Sequence, residues 1–248
     1  MVCHRGHNKL LIKRNQYWHC NNSDASLSDP PLQCWKSHFE SFRLLQLLCR
    51  CLYEFDQSKS FCLNDNKKNE TKKGNLGDIT VDCANGVGSI AGENFAPLIK
   101  GRLNMSLIHT GEGILNKDCG ADFVKVGQKA PVGLELKPGQ RYASIDGDAD
   151  RLIYYMCNNE GKFCLLDGDR MASLIAFYIV KKLGSETKLN VGVVQTAYAN
   201  GASTKFLTDF GVKVDCAKTG VKNLHHLALN FDIGIYFEAN GHGTVLFR

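Results

Sequence analysis

Three carboxylates stand at alternate positions in Ile145-Asp-Gly-Asp-Ala-Asp-Arg-Leu152, and an arginine follows the last of them. Like charges this close repel, so such a segment is either solvated or holds something positive. In an extended strand, residues i, i+2 and i+4 project to one face. Asp146, Asp148 and Asp150 are therefore expected to start out pointing the same way, with Gly147 letting the backbone curl them together. Hard oxygen ligands in a short loop suit Mg²⁺, which keeps several waters and takes substrate phosphate as a further ligand. A calcium EF-hand opens similarly but needs glycine at its sixth position and glutamate at its twelfth. Counted from Asp146, those positions hold Arg151 and Cys157. Arg151 adds a guanidinium that grips phosphate oxygens bidentately and keeps its charge at working pH. Metal and arginine together are the equipment of phosphoryl transfer, where positioning and charge neutralisation carry most of the catalysis.

A second constellation, Phe237-Glu-Ala-Asn-Gly-His-Gly243, alternates Glu238, Asn240 and His242 with the small residues Ala239 and Gly241. Carboxylate, amide and imidazole with close backbone access suit a polyhydroxylated ligand such as a sugar. A glycine-rich turn, Val81-Asp-Cys-Ala-Asn-Gly-Val-Gly-Ser89, raises the possibility of a dinucleotide site. Its glycines at 86, 88 and 92 miss the Gly-x-Gly-x-x-Gly spacing by one residue. A tight turn packing a helix onto a sheet is the expectation there.

These loops need strands and helices to hold them. Runs rich in β-formers predict strands over 79–83, 106–109, 142–145, 152–157 and 162–166, the last two joined by a hairpin turn at Asn158-Asn-Glu-Gly161. Met171, Leu174, Ile175, Tyr178 and Ile179 give an apolar stripe for a helix over 169–183. After Gly184-Ser-Glu-Thr a second alternation begins, with strands at 191–195, 213–216, 233–237 and 244–247 and helices at 202–210 and 224–229. Strands alternating with amphipathic helices predict α/β architecture. The expected units are 1–74, an irregular and partly disordered segment with one helix over 39–55; 75–185, an α/β domain bearing the aspartate loop; and 186–248, a second α/β domain. The last strand reaches Arg248 with no residue left for an ending, so the second domain is expected to be incomplete.

The 248-residue chain is 44% hydrophobic and 22% charged, ordinary for a globular protein. No apolar run approaches the ~20 residues that span a bilayer, and the N-terminus has only Leu10-Leu-Ile12 as an apolar core for a leader. A cytoplasmic protein without membrane partners is expected. The net charge of +5 resides wholly in residues 1–74, but as scattered charges with little aromatic interleaving, which does not predict a nucleic-acid surface. Eleven irregularly spaced cysteines predict reduced thiols. Cys3, His7, His19 and Cys20 could be assembled into a zinc site on paper, though their spacing matches no common finger.

At these motifs the chain resembles the α-D-phosphohexomutase family, and within it the phosphoacetylglucosamine mutase branch. The family pairs an Asp-Gly-Asp-x-Asp-Arg loop with a later sugar loop, which in that branch is similar to Glu238-Ala-Asn-Gly-His-Gly243. Val191-Gly-Val-Val-Gln-Thr-Ala-Tyr-Ala-Asn200, Lys218-Thr-Gly-Val-Lys222 and Cys119-Gly-Ala-Asp-Phe-Val-Lys125 also resemble the branch. The resemblance covers residues 79–247, the second and most of the third of the family's four domains. It implies that Asp146, Asp148 and Asp150 hold Mg²⁺ and that Arg151 contacts the phosphoryl group. It further implies that Glu238, Ala239, Asn240 and Gly241 bind the sugar, that Thr219, Gly220 and Lys222 line the same pocket, and that His242 lies beside the reacting hydroxyl. The implied reaction interconverts N-acetylglucosamine 6-phosphate and 1-phosphate on the way to UDP-N-acetylglucosamine, by way of a phosphoserine donor and a sugar bisphosphate.

The family's donor serine lies in a Ser-His-Asn-Pro loop. This chain's only Ser-His pair, Ser37-His38, continues Phe-Glu and does not take that role. An incomplete, inactive mutase fragment is therefore the leading expectation. A non-catalytic sugar-phosphate-binding or interaction protein that keeps the fold stands second, and an unrelated Mg²⁺-dependent phosphatase third.

Overall fold

The computed structural model describes residues 76–184 and 188–248. The expected helix over 39–55, the Cys3/His7/His19/Cys20 set and the polar run over 64–74 lie outside the described residues.

The first sheet contains β1 (Asp78–Asp82), β2 (Asn104–Ile108), β3 (Arg141–Ile145), β4 (Leu152–Cys157) and β5 (Phe163–Leu166), in the order β2-β1-β3-β4-β5. β2, β1 and β3 run parallel, whereas β4 and β5 add on antiparallel. Helix α1 (Gly88–Ile99) makes the crossover from β1 to β2, and the short helix α2 (Ala121–Gly127) lies on the connection from β2 to β3. The β4–β5 hairpin closes as expected around Asn158, whose side-chain oxygen accepts from the backbone N–H of Glu160 and of Lys162 at 3.0 and 2.8 Å.

Helix α3 (Gly168–Leu183) leads to the second sheet, built from β6 (Val191–Thr196), β7 (Lys213–Ala217), β8 (Ile233–Phe237) and β9 (Gly243–Phe247) in the order β7-β6-β8-β9. β7, β6 and β8 are parallel and β9 pairs antiparallel with β8. Helices α4 (Gly201–Asp209) and α5 (Val221–Ala228) make the two crossovers. Every residue of β8 is buried, as a strand covered on both faces must be.

Helix α3 begins where Asp167 caps it, accepting from the Arg170 backbone N–H. Its stripe packs mainly on β6, β8 and α4, and less on β4 and β5. The expected division put this helix with the first unit, ending that unit at residue 185. Met171, Ile175 and Ile179 join Leu152 and Tyr154 of β4 to Val193, Ile233, Ile235 and Phe237 in one continuous core. Among the described residues no helix is long and apolar enough to cross a membrane, and the cysteines at 83, 119, 157, 164 and 216 are free thiols.

Candidate functional site

The aspartate loop connects β3 to β4, whose ends Ile145 and Leu152 face each other across the ladder. Asp146, at the strand end, is buried. Its Oδ1 accepts from the backbone N–H of Asp150 at 3.1 Å and of Arg151 at 3.0 Å, and its carbonyl accepts from Ala149 N–H at 3.1 Å. The chain thus wraps around Asp146, and Ala149 takes a left-handed φ of +59° to complete the turn. This corrects the route expected from the sequence. The backbone does curl to gather the carboxylates, but it coils back on Asp146 through a left-handed Ala149 and not through Gly147. Oxygen atoms of Asp146, Asp148 and Asp150 all come within 4.8 Å of one another.

The glycine-rich turn after β1 supports this loop from behind. Val87 N–H donates to the Gly147 carbonyl at 3.0 Å. A β-carbon on Gly86 would lie 2.2 Å from that same oxygen. The turn therefore packs helix and sheet together, as expected, and also seats the aspartate loop.

Arg151 is gripped from several sides. Its Nε donates to Asp146 Oδ2 at 2.7 Å, its Nη1 donates to Asp122 Oδ2 at 2.7 Å, and Asp150 Oδ1 lies 3.6 Å from Nε. Three carboxylates thus surround one guanidinium, and with Asp148 beside two of them the cluster is strongly anionic when all are ionised. Burial raises the Asp148 and Asp150 carboxyls, and the charge of Asp146 adds to it, pushing each up to about 6. Burial also acts to raise Asp146, but hydrogen bonds from Asp148 and Arg151 and the guanidinium charge outweigh it and hold that carboxyl below its ordinary value. An oxygen cluster that resists its own ionisation fits a hard divalent cation.

The loop after β8 lies directly against the aspartate loop. Leu152 N–H donates to the Gly241 carbonyl at 3.1 Å, and Arg151 and His242 form an isolated antiparallel bridge. Gly241 has a φ of +92°, and a β-carbon there would lie 2.1 Å from the Leu152 carbonyl oxygen. On the other side, Gly168 admits the Glu238 carbonyl, and its N–H points to the Ala239 carbonyl at 3.5 Å. Asn240 shapes the loop by accepting from His242 N–H at 3.0 Å. His242 Nδ1 lies 3.5 Å from Asp150 Oδ2, and burial holds its imidazole below the ordinary value despite the carboxylates nearby.

Glu238 Oε1 accepts from Gly220 N–H at 3.0 Å, which ties this loop to the one between β7 and α5. Thr219 and Lys222 flank Gly220 there, and both are exposed. The structure thus brings Asp146, Asp148, Asp150, Arg151 and His242 together, and links Glu238 to Gly220. It joins Thr219 and Lys222 to the group only through that loop.

Two supporting residues carried no role in the sequence reading. Asp122, in the Cys119–Lys125 motif, reaches Arg151 from 29 positions away. Asp82, fully buried, accepts from Ala84 N–H, Gly120 N–H and Ser144 Oγ at 3.0, 2.7 and 2.8 Å, and His109 Nδ1 lies 2.9 Å from its Oδ1. It ties the ends of β1, β2 and β3 to the start of α2. Asp82, His109 and Cys119 bring ligand-type atoms within 4.8 Å of one another. There the carboxylate is already saturated, and burial followed by the Asp82 charge pushes the Cys119 thiol up to about 11. That cluster is a hydrogen-bonded brace. A buried Asp at a strand end was the available signal for it.

Residues 167–248 match the family described as phosphoacetylglucosamine mutase AMG1, domain III. The chain is 55% identical over 177 residues to phosphoacetylglucosamine mutase 1 of Schizosaccharomyces pombe, covering 68% of this chain and 34% of that protein. It is 52% identical over 173 residues to the human phosphoacetylglucosamine mutase, covering 68% and 32%. Among solved structures it is similar to Aspergillus fumigatus N-acetylphosphoglucosamine mutase in complex with GlcNAc-6P and magnesium. That match has 44% identity and a TM-score of 0.65, over 69% of this chain and 36% of that one. An N-acetylglucosamine-phosphate mutase of the α-D-phosphohexomutase superfamily, in the apo form, matches at 49% identity and a TM-score of 0.64, over 68% and 34%. The chain spans about a third of the length of the curated relatives it matches. Residues 167–248 thus match domain III of the phosphoacetylglucosamine mutase AMG1 family, and over both α/β units, with their aspartate and Glu-Ala-Asn-Gly-His loops in contact, the chain is similar to phosphoacetylglucosamine mutases.

Proposed function

We propose that these two units carry the magnesium loop and the sugar loop of an isomerase that interconverts N-acetylglucosamine 6-phosphate and 1-phosphate, a step toward UDP-N-acetylglucosamine. The observation that supports this most is the main-chain contact between an aspartate–arginine cluster and a Glu-Asn-His loop. In this reading the contact sets a cation site beside a hydroxyl-binding site.

In this reading Asp146, Asp148 and Asp150 hold Mg²⁺, which when bound neutralises the charge on phosphoryl oxygens. Arg151 grips the phosphoryl group with a donor fork already oriented by its carboxylate partners. Glu238 accepts from sugar hydroxyls while Asn240 offers its amide, and Ala239 and Gly241 keep the backbone close to the ring. Thr219, Gly220 and Lys222 close the far side, with Lys222 supplying positive charge. His242, kept neutral by burial, can take the proton of the reacting hydroxyl as the phosphoryl group arrives.

The donor phosphoserine of the family has no counterpart among these 248 residues as a Ser-His-Asn-Pro sequence. Transfer depends on holding donor, metal and acceptor in line, so this chain by itself is expected to bind without turning over.

Titration calorimetry of the parent and Asp148→Ala with Mg²⁺, then with N-acetylglucosamine 6-phosphate, tests the reading. Binding of both by the parent, with Mg²⁺ binding weakened in the variant, is expected. Equal Mg²⁺ binding in the two proteins would overturn the metal assignment. A coupled mutase assay with a sugar bisphosphate activator tests the inactivity of the chain alone, and turnover within tenfold of a full-length mutase contradicts it.

A further inference from the structure

The Cys119-Gly-Ala-Asp-Phe-Val-Lys125 segment has no part in the reaction as described so far, yet its helix touches the reacting end of the site. We propose that Asp122 is a positioning residue for Arg151, fixing the plane in which the guanidinium meets a phosphoryl group. The inference rests on the reading of Arg151 given above.

A guanidinium is a flat fork with donors in set directions. Arg151 spends Nε on Asp146 and Nη1 on Asp122, each at 2.7 Å, and the two acceptors come from different elements. One anchor alone would let the fork rotate about its hydrogen bond. Two anchors on separate elements define both the direction and the plane of the edge that remains for a ligand.

The second anchor stands on a rigid base. Gly120 N–H is held by the buried Asp82, and Asn85 Nδ2 reaches Cys119 Sγ at 3.6 Å. Ala121 and Val124, on the other face of α2, are fully buried against Tyr142, Ile153 and Tyr155. A site group is placed accurately only when its support is itself locked, and Asp122 meets that condition. Stability does not explain the contact. The Asp122 side chain is 61% exposed, and ion pairs in such settings add little to folding.

The idea makes a prediction that simple electrostatics reverses. A carboxylate beside a phosphate-gripping arginine repels the phosphate. If Asp122 acted only through its charge, both Asp122→Asn and Asp122→Ala would tighten ligand binding. If it positions Arg151, alanine weakens binding by about tenfold, the lower end for loss of a supporting contact. Asparagine, which keeps an acceptor of the same shape, falls between alanine and parent.

The test uses the full chain labelled with ¹⁵N, with the Arg151 Nε–H signal assigned by its loss in Arg151→Lys. In Asp122→Ala that proton should exchange with water at least about fivefold faster, as expected for a side chain that has lost one of two anchors. Calorimetry should show N-acetylglucosamine 6-phosphate binding weakened under saturating Mg²⁺, with Mg²⁺ affinity within about twofold of the parent because no proposed ligand has changed. An unaltered Arg151 signal, or ligand binding as tight as or tighter than the parent's, overturns the inference. If the parent itself binds no sugar phosphate, the functional reading fails, and the Arg151 signal still decides whether Asp122 holds the side chain.

Discussion

Gly241 and Leu152 meet backbone to backbone. The Leu152 N–H donates to the Gly241 carbonyl at 3.1 Å, and a β-carbon on Gly241 would lie 2.1 Å from the Leu152 carbonyl oxygen. Gly241→Ala therefore meets both a left-handed φ of +92° and a backbone clash that no rotamer can relieve. A loss of about 2 kcal/mol or more is expected, read from urea unfolding. Sugar-phosphate binding should fall with it, because the loop must move off the aspartate loop. Unchanged stability and binding would show that the two loops are not pressed together.

Mg²⁺ binding should depend on pH in the acid range. Asp148 and Asp150, each pushed up to about 6, must lose their protons to serve as ligands. Each group is about half protonated at pH 6, so its ionised fraction falls by about fivefold to pH 5, and with two such ligands affinity should fall by about thirtyfold between pH 6 and pH 5. Calorimetry across that range measures it, and a flat profile contradicts the two carboxylates as ligands.

The same shifts act on folding. A carboxyl whose folded value lies above its unfolded value of about 3.9 adds stability below that value and loses it as pH rises through 6. Without metal the chain should therefore lose stability across this window, and Mg²⁺ should restore it. The rise in Tm on adding Mg²⁺ should be larger at pH 7.5 than at pH 5, and equal rises at both would contradict the assignment.

Glu238 does two things that substitution can separate. It accepts from Gly220 N–H, and in the proposed function it binds sugar hydroxyls. Glu238→Gln keeps the acceptor and should leave Tm near the parent's, while Glu238→Ala should cost about 1 kcal/mol. Both should weaken binding of N-acetylglucosamine 6-phosphate. A variant with parental binding and a large fall in Tm would make Glu238 a structural residue only.

Asp82→Ala should be among the most destabilising changes at the site. It strands the donors of Ala84, Gly120 and Ser144 and leaves His109 without its carboxylate partner. A loss of about 3 kcal/mol or more is expected in urea unfolding. A loss under about 1 kcal/mol would mean that water replaces the brace.

Much of this fold was legible because its strands carry simple signals. β4 and β8 occupy the residues that their apolar runs predict, and α3 follows its stripe of Met171, Ile175 and Ile179. Helix α2 escaped because seven residues give too little periodicity, and it is bounded by Gly120 and a left-handed Gln128. The crowding of the aspartates was readable from their spacing. The way they gather was not, since it depends on Asp146 capturing the N–H groups of Asp150 and Arg151. Asp122 could not be paired with Arg151 from sequence at all, because β3 and α2 must be placed before the two meet. The packing of α3 between the two units was not legible for a related reason. Gly184 ends a helix, but the packing of α3 decides which sheet that helix serves.

The link between Leu152 and Gly241 runs through main-chain atoms alone, and that governs how freely this region can change its sequence. A contact between two side chains constrains both positions, and a change at one calls for a change at the other. Here the side chains of Leu152 and Phe237 are committed to the core instead, so they can exchange for other apolar residues without disturbing the register of the two loops. The steric requirement at this contact falls on Gly241, while Gly86 and Gly168 carry a similar one where they seat the two loops. The spacing between the proposed cation site and the proposed hydroxyl-binding site is thus expected to outlast extensive drift around it, and to fail at these few glycines.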